Sequence, residues 1–155
     1  MTVPALPDPL AVLADADWPR FSDTEMERRR AAIEDLMAQA DIRYLLVYGA
    51  QWNGTGIPWL THWPTTSEAA LVVTAGERNA LYIQFHNHVP QATEGATGSD
   101  VHWGGTDTIA SVIADFHKRG AGADERIGVI GPLGLGGAAK LRAVFADVVD
   151  LSRAF

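Results

Sequence analysis

The sequence predicts a three-layer α/β/α domain around a central mixed β-sheet. Three observations carry that expectation. Apolar residues fall into short continuous runs that suit strands and into stripes at helical spacing. Their order is helix, strand, long loop, hairpin, then strand–helix–strand–helix–strand, which places helices on both faces of the sheet. The chain has 155 residues, 47% of them apolar, enough for one sizeable core and cramped for two.

Residues 1–21 contain Pro4, Pro7, Pro9 and Pro19, half of the 8 prolines in the chain. Proline has a fixed φ and no backbone donor, so this stretch reads as an extended arm ahead of a single domain over 22–155. Ser22-Asp23-Thr24-Glu25 is a capping box, in which hydroxyl and carboxylate satisfy opposite amides. Met26, Ile33, Met37 and Ala40 continue it as a helix to about Ala40, with Arg28 to Arg30 on a solvated or ion-paired face. Arg43 to Tyr48 is a continuous apolar strand of the doubly buried kind. A loop rich in Gly, Thr and Trp is expected from Gly49 to Ser67. Glu68 to Thr74 and Ala80 to Phe85 form a hairpin about the turn Ala75 to Asn79. Residues 86–99 are polar and ambiguous, and Val101 to Trp103 reads as a brief strand end. Asp107 caps a helix with Ile109, Val112, Ile113 and Phe116 inward, which Gly120 stops. Arg126 to Ile130 is a strand, Gly136 to Phe145 a helix and Val148 to Leu151 a last strand.

Composition excludes several functions. With no cysteine there is no disulfide scaffold, thiol nucleophile or thiolate zinc site. A net charge of −7 with scattered Lys and Arg lacks the basic stripe of a nucleic-acid partner. No apolar run approaches the roughly 20 residues that span a bilayer. The N-terminus has no basic start followed by an apolar stretch, so no membrane and a cytoplasmic location are expected.

Four features could carry chemistry. Gly134-Leu135-Gly136-Gly137-Ala138-Ala139 fits a dinucleotide fingerprint, yet the further strands and acidic residue of such a site are missing. Close packing of the helix against the sheet is the better account. His86 and His88, with His102 downstream, could share one strand face as metal ligands, but no carboxylate lies within five positions of the pair. Ser67, Ser99 and Ser111 sit in no nucleophile elbow. Trp52, Trp59 and Trp63, three of the five tryptophans, crowd the loop from Gly49 to Ser67 and mark either core plugs or a binding surface.

Several stretches in order resemble the N-terminal domain of the creatinase, prolidase and aminopeptidase P family. They are Ser22-Asp23-Thr24-Glu25 with Arg28 to Arg30, Ile42 to Val47, Asn53, Trp59-Leu60-Thr61, Glu68 to Thr74 and Ala80 to Ile83. The corresponding family stretches are an S-x-x-E-x-x-x-R helix, a "gid-lll" strand, an N-x-x-Y-L-T-G turn and an "alvv" strand. The resemblance covers about residues 20–152. Here the turn ends in His62 in place of glycine, and Asn53 lies six residues before Trp59.

The resemblance implies a creatinase N-terminal-like fold with a ribonuclease-H-like motif, and a chain that is not itself an enzyme. In that family a C-terminal domain, absent here, holds two divalent metals (Mn, Zn or Co in a peptidase-type parent) with two Asp, one His and two Glu. No metal or other cofactor is therefore expected in this chain. The implied parent hydrolyses an Xaa-Pro bond or a small amidino or amide substrate. Its partners would be that catalytic domain and a second copy in a homodimer, with Trp52, Trp59, His62 and Trp63 gating a neighbouring active-site mouth. The rival readings are a stand-alone binding or assembly domain and an independent metalloenzyme built on His86, His88 and His102.

Overall fold

The computed structural model describes residues 20–51 and 53–155. The expected proline-rich arm thus lies outside the described residues up to position 19, as does Trp52. Helix α1 (Asp23–Gln39) starts as its cap predicts, Ser22 Oγ accepting from the Glu25 amide at 3.2 Å. The second half of the capping box does not form, because the Glu25 carboxylate turns to Arg28 and Arg29. Met26, Ile33 and Met37 face inward. Strand β1 (Tyr44–Gly49) follows, buried at every position.

The expected loop is not a plain loop, for it contains a short helix, α2 (Gly56–Thr61). Then come β2 (Ala69–Thr74) and β3 (Asn79–Ile83), joined as the hairpin the sequence predicted. The ambiguous stretch resolves into a 3₁₀ turn (His86–His88), α3 (Val89–Gly95) and the start of β4 (Ser99–Trp103). Helix α4 (Thr108–Lys118) is capped by Asp107, whose carboxylate accepts from the Ala110 amide at 3.1 Å, and Gly120 ends it at φ 96°. Strand β5 (Arg126–Ile130), helix α5 (Leu135–Arg142) and strand β6 (Asp147–Asp150) complete the chain. Helix α5 stops before Phe145, which nevertheless stays buried beyond it.

The sheet order is β4-β3-β2-β1-β5-β6. The β1–β2 and β2–β3 pairs are antiparallel, whereas β3–β4, β1–β5 and β5–β6 are parallel, so the sheet is mixed as expected. Strand β1 reads as an unbroken apolar run because both of its faces are covered. Leu45 and Val47 pack with Ile33, Met37, Ile57, Leu60, Trp63 and Ala92, so α1, α2 and α3 share one face. Tyr44, Leu46 and Tyr48 pack with Ile109, Val112, Phe116, Leu141 and Phe145, which sets α4 and α5 on the other. Gly131 lets the chain leave β5 across the end of β1. It sits at φ 106°, where a Cβ would lie 2.0 Å from the Tyr48 carbonyl oxygen. Among the described residues no helix is long and apolar enough to cross a membrane.

Candidate functional site

Helix α2 has six residues, too few to persist alone in water. It is held by burying Ile57 and Leu60 in the core and by a buried hydrogen bond from Thr61 Oγ1 to the Ile57 carbonyl at 2.7 Å. The same hydroxyl accepts from the Trp63 amide at 3.1 Å. His62 closes the helix in the left-handed conformation, φ 65° and ψ −6°, with its amide on the Pro58 carbonyl at 3.0 Å. Glycine takes that conformation without strain, which accounts for the residue the resembling family has at this turn.

The sequence-predicted site residues separate here. Trp63 is 6% exposed and belongs to the core, as a plug under the sheet. Trp59 is half-buried, packed against the same core cluster and edge-on to Phe155 with ring centroids 5.2 Å apart. His62 stacks on Phe21, centroids 5.6 Å apart and planes 17° off parallel. Both imidazole nitrogens are shielded from solvent and lack a hydrogen-bond partner among the described residues. Burial, reinforced by the positive charges of Arg20 and Arg29, lowers the His62 pKa below its ordinary value and so favours the neutral ring.

Arg29 organises this region; the sequence placed it on a solvated or ion-paired face, and the ion pair with Glu25 forms at 2.8 Å while the side chain is buried rather than solvated. It is 5% exposed. Its Nε donates to Glu25 at 2.8 Å and its Nη1 to the Trp59 carbonyl at 2.9 Å. The guanidinium lies 3.7 Å from the Phe21 ring centroid and 5.1 Å from that of Trp59. Glu25 also pairs with Arg28, and these hydrogen bonds, Arg28 first and Arg29 second, lower its pKa to about 2. The missed signal was periodic. Arg29 lies three residues after Met26 and four before Ile33, on the buried stripe itself.

Beside His62 runs a groove of about 520 Å³, lined by Arg20, Phe21, Pro58, Trp63, Pro64 and the α3 residues Gln91 and Glu94. Its walls are aromatic and proline rings, with Arg20 and Glu94 as charged groups. Such a surface suits packing against a proline-containing or apolar partner more than bond breaking.

The other candidates do not assemble. His86 packs edge-on to Trp103, His102 lies against Tyr82, and His88 sits beside Phe85 and Trp63. The 3₁₀ turn takes the first pair out of strand geometry. Among the described residues no group of three or more His, Cys, Asp or Glu is placed to hold a metal ion. In the glycine cluster only Gly137 meets close packing, its would-be Cβ lying 2.5 Å from Leu133 and 3.5 Å from Ile109 of α4. The contact is therefore with the preceding loop and a helix, not with the sheet.

No protein-family profile matches the chain, and no curated protein sequence matches it. Solved structures do. The aminopeptidase P (Xaa-Pro aminopeptidase) from Streptococcus thermophilus superposes with a TM-score of 0.64 at 19% identity, over 81% of this chain and 91% of that one. The N-terminal domain of the cytoplasmic peptidase PepQ from Mycobacterium tuberculosis H37Rv gives 0.63 at 17% identity, over 79% and 92%. The Xaa-Pro dipeptidase from Bacillus anthracis gives 0.65 at 12% identity over 81% of this chain, yet only 33% of that enzyme is covered. The chain thus has the fold of creatinase/prolidase-like N-terminal domains and spans a third of that dipeptidase.

Proposed function

We propose that this chain is the non-catalytic N-terminal domain of a creatinase/prolidase-type hydrolase of the Xaa-Pro peptidase kind. Its role is to pack the His62 face against the mouth of a neighbouring catalytic domain. The observation that carries the reading is the His62 turn. A non-glycine residue held in left-handed geometry, with both ring nitrogens dry and without a partner among the described residues, beside an aromatic groove, is a strained arrangement of the kind found at functional surfaces. The names of the structural neighbours support the peptidase assignment.

On this reading Trp59 and His62 do the gating while Trp63 anchors them from the core. The divalent metal pair belongs to the catalytic domain, and the protein works in the cytoplasm as a homodimer. Two assays test it. The 155-residue chain should leave Xaa-Pro dipeptides uncleaved with manganese, zinc or cobalt; turnover that tracks the purified protein overturns the non-catalytic role. In the native hydrolase His62→Ala should keep the melting temperature and raise KM. Unchanged kinetics there would remove the gating role.

A further inference from the structure

A second cavity lies between α1 and the β2–β3 turn and shares no lining residue with the groove beside His62. It measures about 230 Å³. Sites for drug-sized molecules run to roughly 300–1,000 Å³, so an occupant here is small. The floor is apolar, made by the buried side chains of Ile33, Leu60 and Val73.

Asn79 is the polar residue that the fold leaves without a task. It opens β3 in phase with Leu81 and Ile83, which the period of two places on the face under α1. It lines the cavity at 7% exposure, and its side chain has no hydrogen-bond partner among the described residues. A carboxamide carries two donors and an acceptor, and leaving them unmet in a buried place is costly. A polar group entering the cavity would meet them.

Two charges on α1 flank the same space. Arg30 and Glu34 stand four residues apart, a spacing at which opposite charges commonly pair. Here they do not. Arg30 turns back, its Nε donating to the Met26 carbonyl at 3.3 Å, and its guanidinium lies against the bare backbone of Gly98. Neither Arg30 nor Glu34 has an oppositely charged partner among the described residues. The other charged lining residues are occupied, Arg78 with Asp100 and Glu77 with Arg43 and Arg119.

We propose that this cavity binds a free α-amino acid with an aliphatic side chain. Arg30 and the Asn79 amide take the carboxylate, Glu34 takes the ammonium, and the side chain rests on Ile33, Leu60 and Val73. The separated charges select the zwitterion, because a simple anion would meet Glu34 and a simple cation would meet Arg30. Both charged groups are exposed to water, so the expected Kd is modest, about 1 mM.

The test is an amide NMR titration of the 155-residue chain with L-leucine, taken to roughly 20 mM so that a millimolar site saturates. The expected result is saturable shifts centred on Asn79 and Gly98. N-acetyl-leucine lacks the ammonium and leucinamide lacks the carboxylate, so each should bind about tenfold more weakly. Arg30→Gln and Glu34→Gln should each weaken leucine binding by a similar factor. Both positions are exposed, so the rest of the spectrum should stay as in wild type and report that the variants are folded. Absence of saturable shifts overturns the proposal. So does leucine binding indifferent to either variant, or N-acetyl-leucine or leucinamide binding as tightly as leucine.

Discussion

Arg29→Ala is the perturbation that most directly tests how α1 holds the α2 turn. The substitution removes charge-assisted hydrogen bonds to Glu25 and to the Trp59 carbonyl, each of a kind that contributes about 1.5–3 kcal/mol. It also removes the guanidinium over Phe21 at 3.7 Å, a further 0.5–1 kcal/mol or so. Part of this is offset, because Glu25 keeps Arg28 and water can reach the vacated space. The net loss comes to about 3 kcal/mol, or roughly 6–12 °C in melting temperature for a chain of this length. Urea unfolding followed by tryptophan fluorescence and circular dichroism measures it. Arg28→Ala is the control, since that side chain is 62% exposed and should melt close to wild type. Arg29→Lys should recover only part of the loss, because an ammonium cannot serve both acceptors in the plane of the rings. If Arg29→Ala melts with Arg28→Ala, Arg29 does not organise the turn.

Trp63→Ala should cost about 3–5 kcal/mol, since Trp63 is buried in the core; a denaturant midpoint near wild type would return it to the surface. Gly131→Ala forces a Cβ against the Tyr48 carbonyl at a positive φ, so loss of about 3 kcal/mol or more, or failure to fold, is expected. Glu25, Asp107 and Asp150 all hold their carboxyl pKa values below the ordinary range, Glu25 at about 2, through side-chain hydrogen bonds to Arg28, Lys140 and Ser152 respectively. The unfolded chain therefore binds more protons in acid. The stability these groups contribute is complete above their ordinary pKa, 4.5 for Glu25, and is lost as pH falls toward 2. Melting temperatures recorded from pH 7 to 2 should drop across that window, and a flat profile would contradict these pairings.

The sequence alone determined what is local. Capping at Ser22 and Asp107, the stop at Gly120, the β2–β3 hairpin and the doubly covered β1 follow from side-chain spacing and backbone chemistry within a few residues. These held because propensity and packing agree there. Tertiary structure decided what depends on residues far apart. A six-residue helix such as α2 cannot pay its own nucleation penalty, so it exists only where Ile57 and Leu60 meet the sheet. Arg29 lies within a basic triplet that reads as a solvated or ion-paired face, and only a carbonyl 30 residues on and a ring at Phe21 make it a buried keystone. The tryptophan cluster illustrates the same division. Spacing could gather Trp59 and Trp63 on one segment, but the helix ends at Thr61 and the left-handed His62 turns the chain between them, so Trp63 is buried in the core while Trp59 covers it half-buried and meets Phe155. Which aromatic becomes core and which stays at the surface is settled by the sheet beneath them.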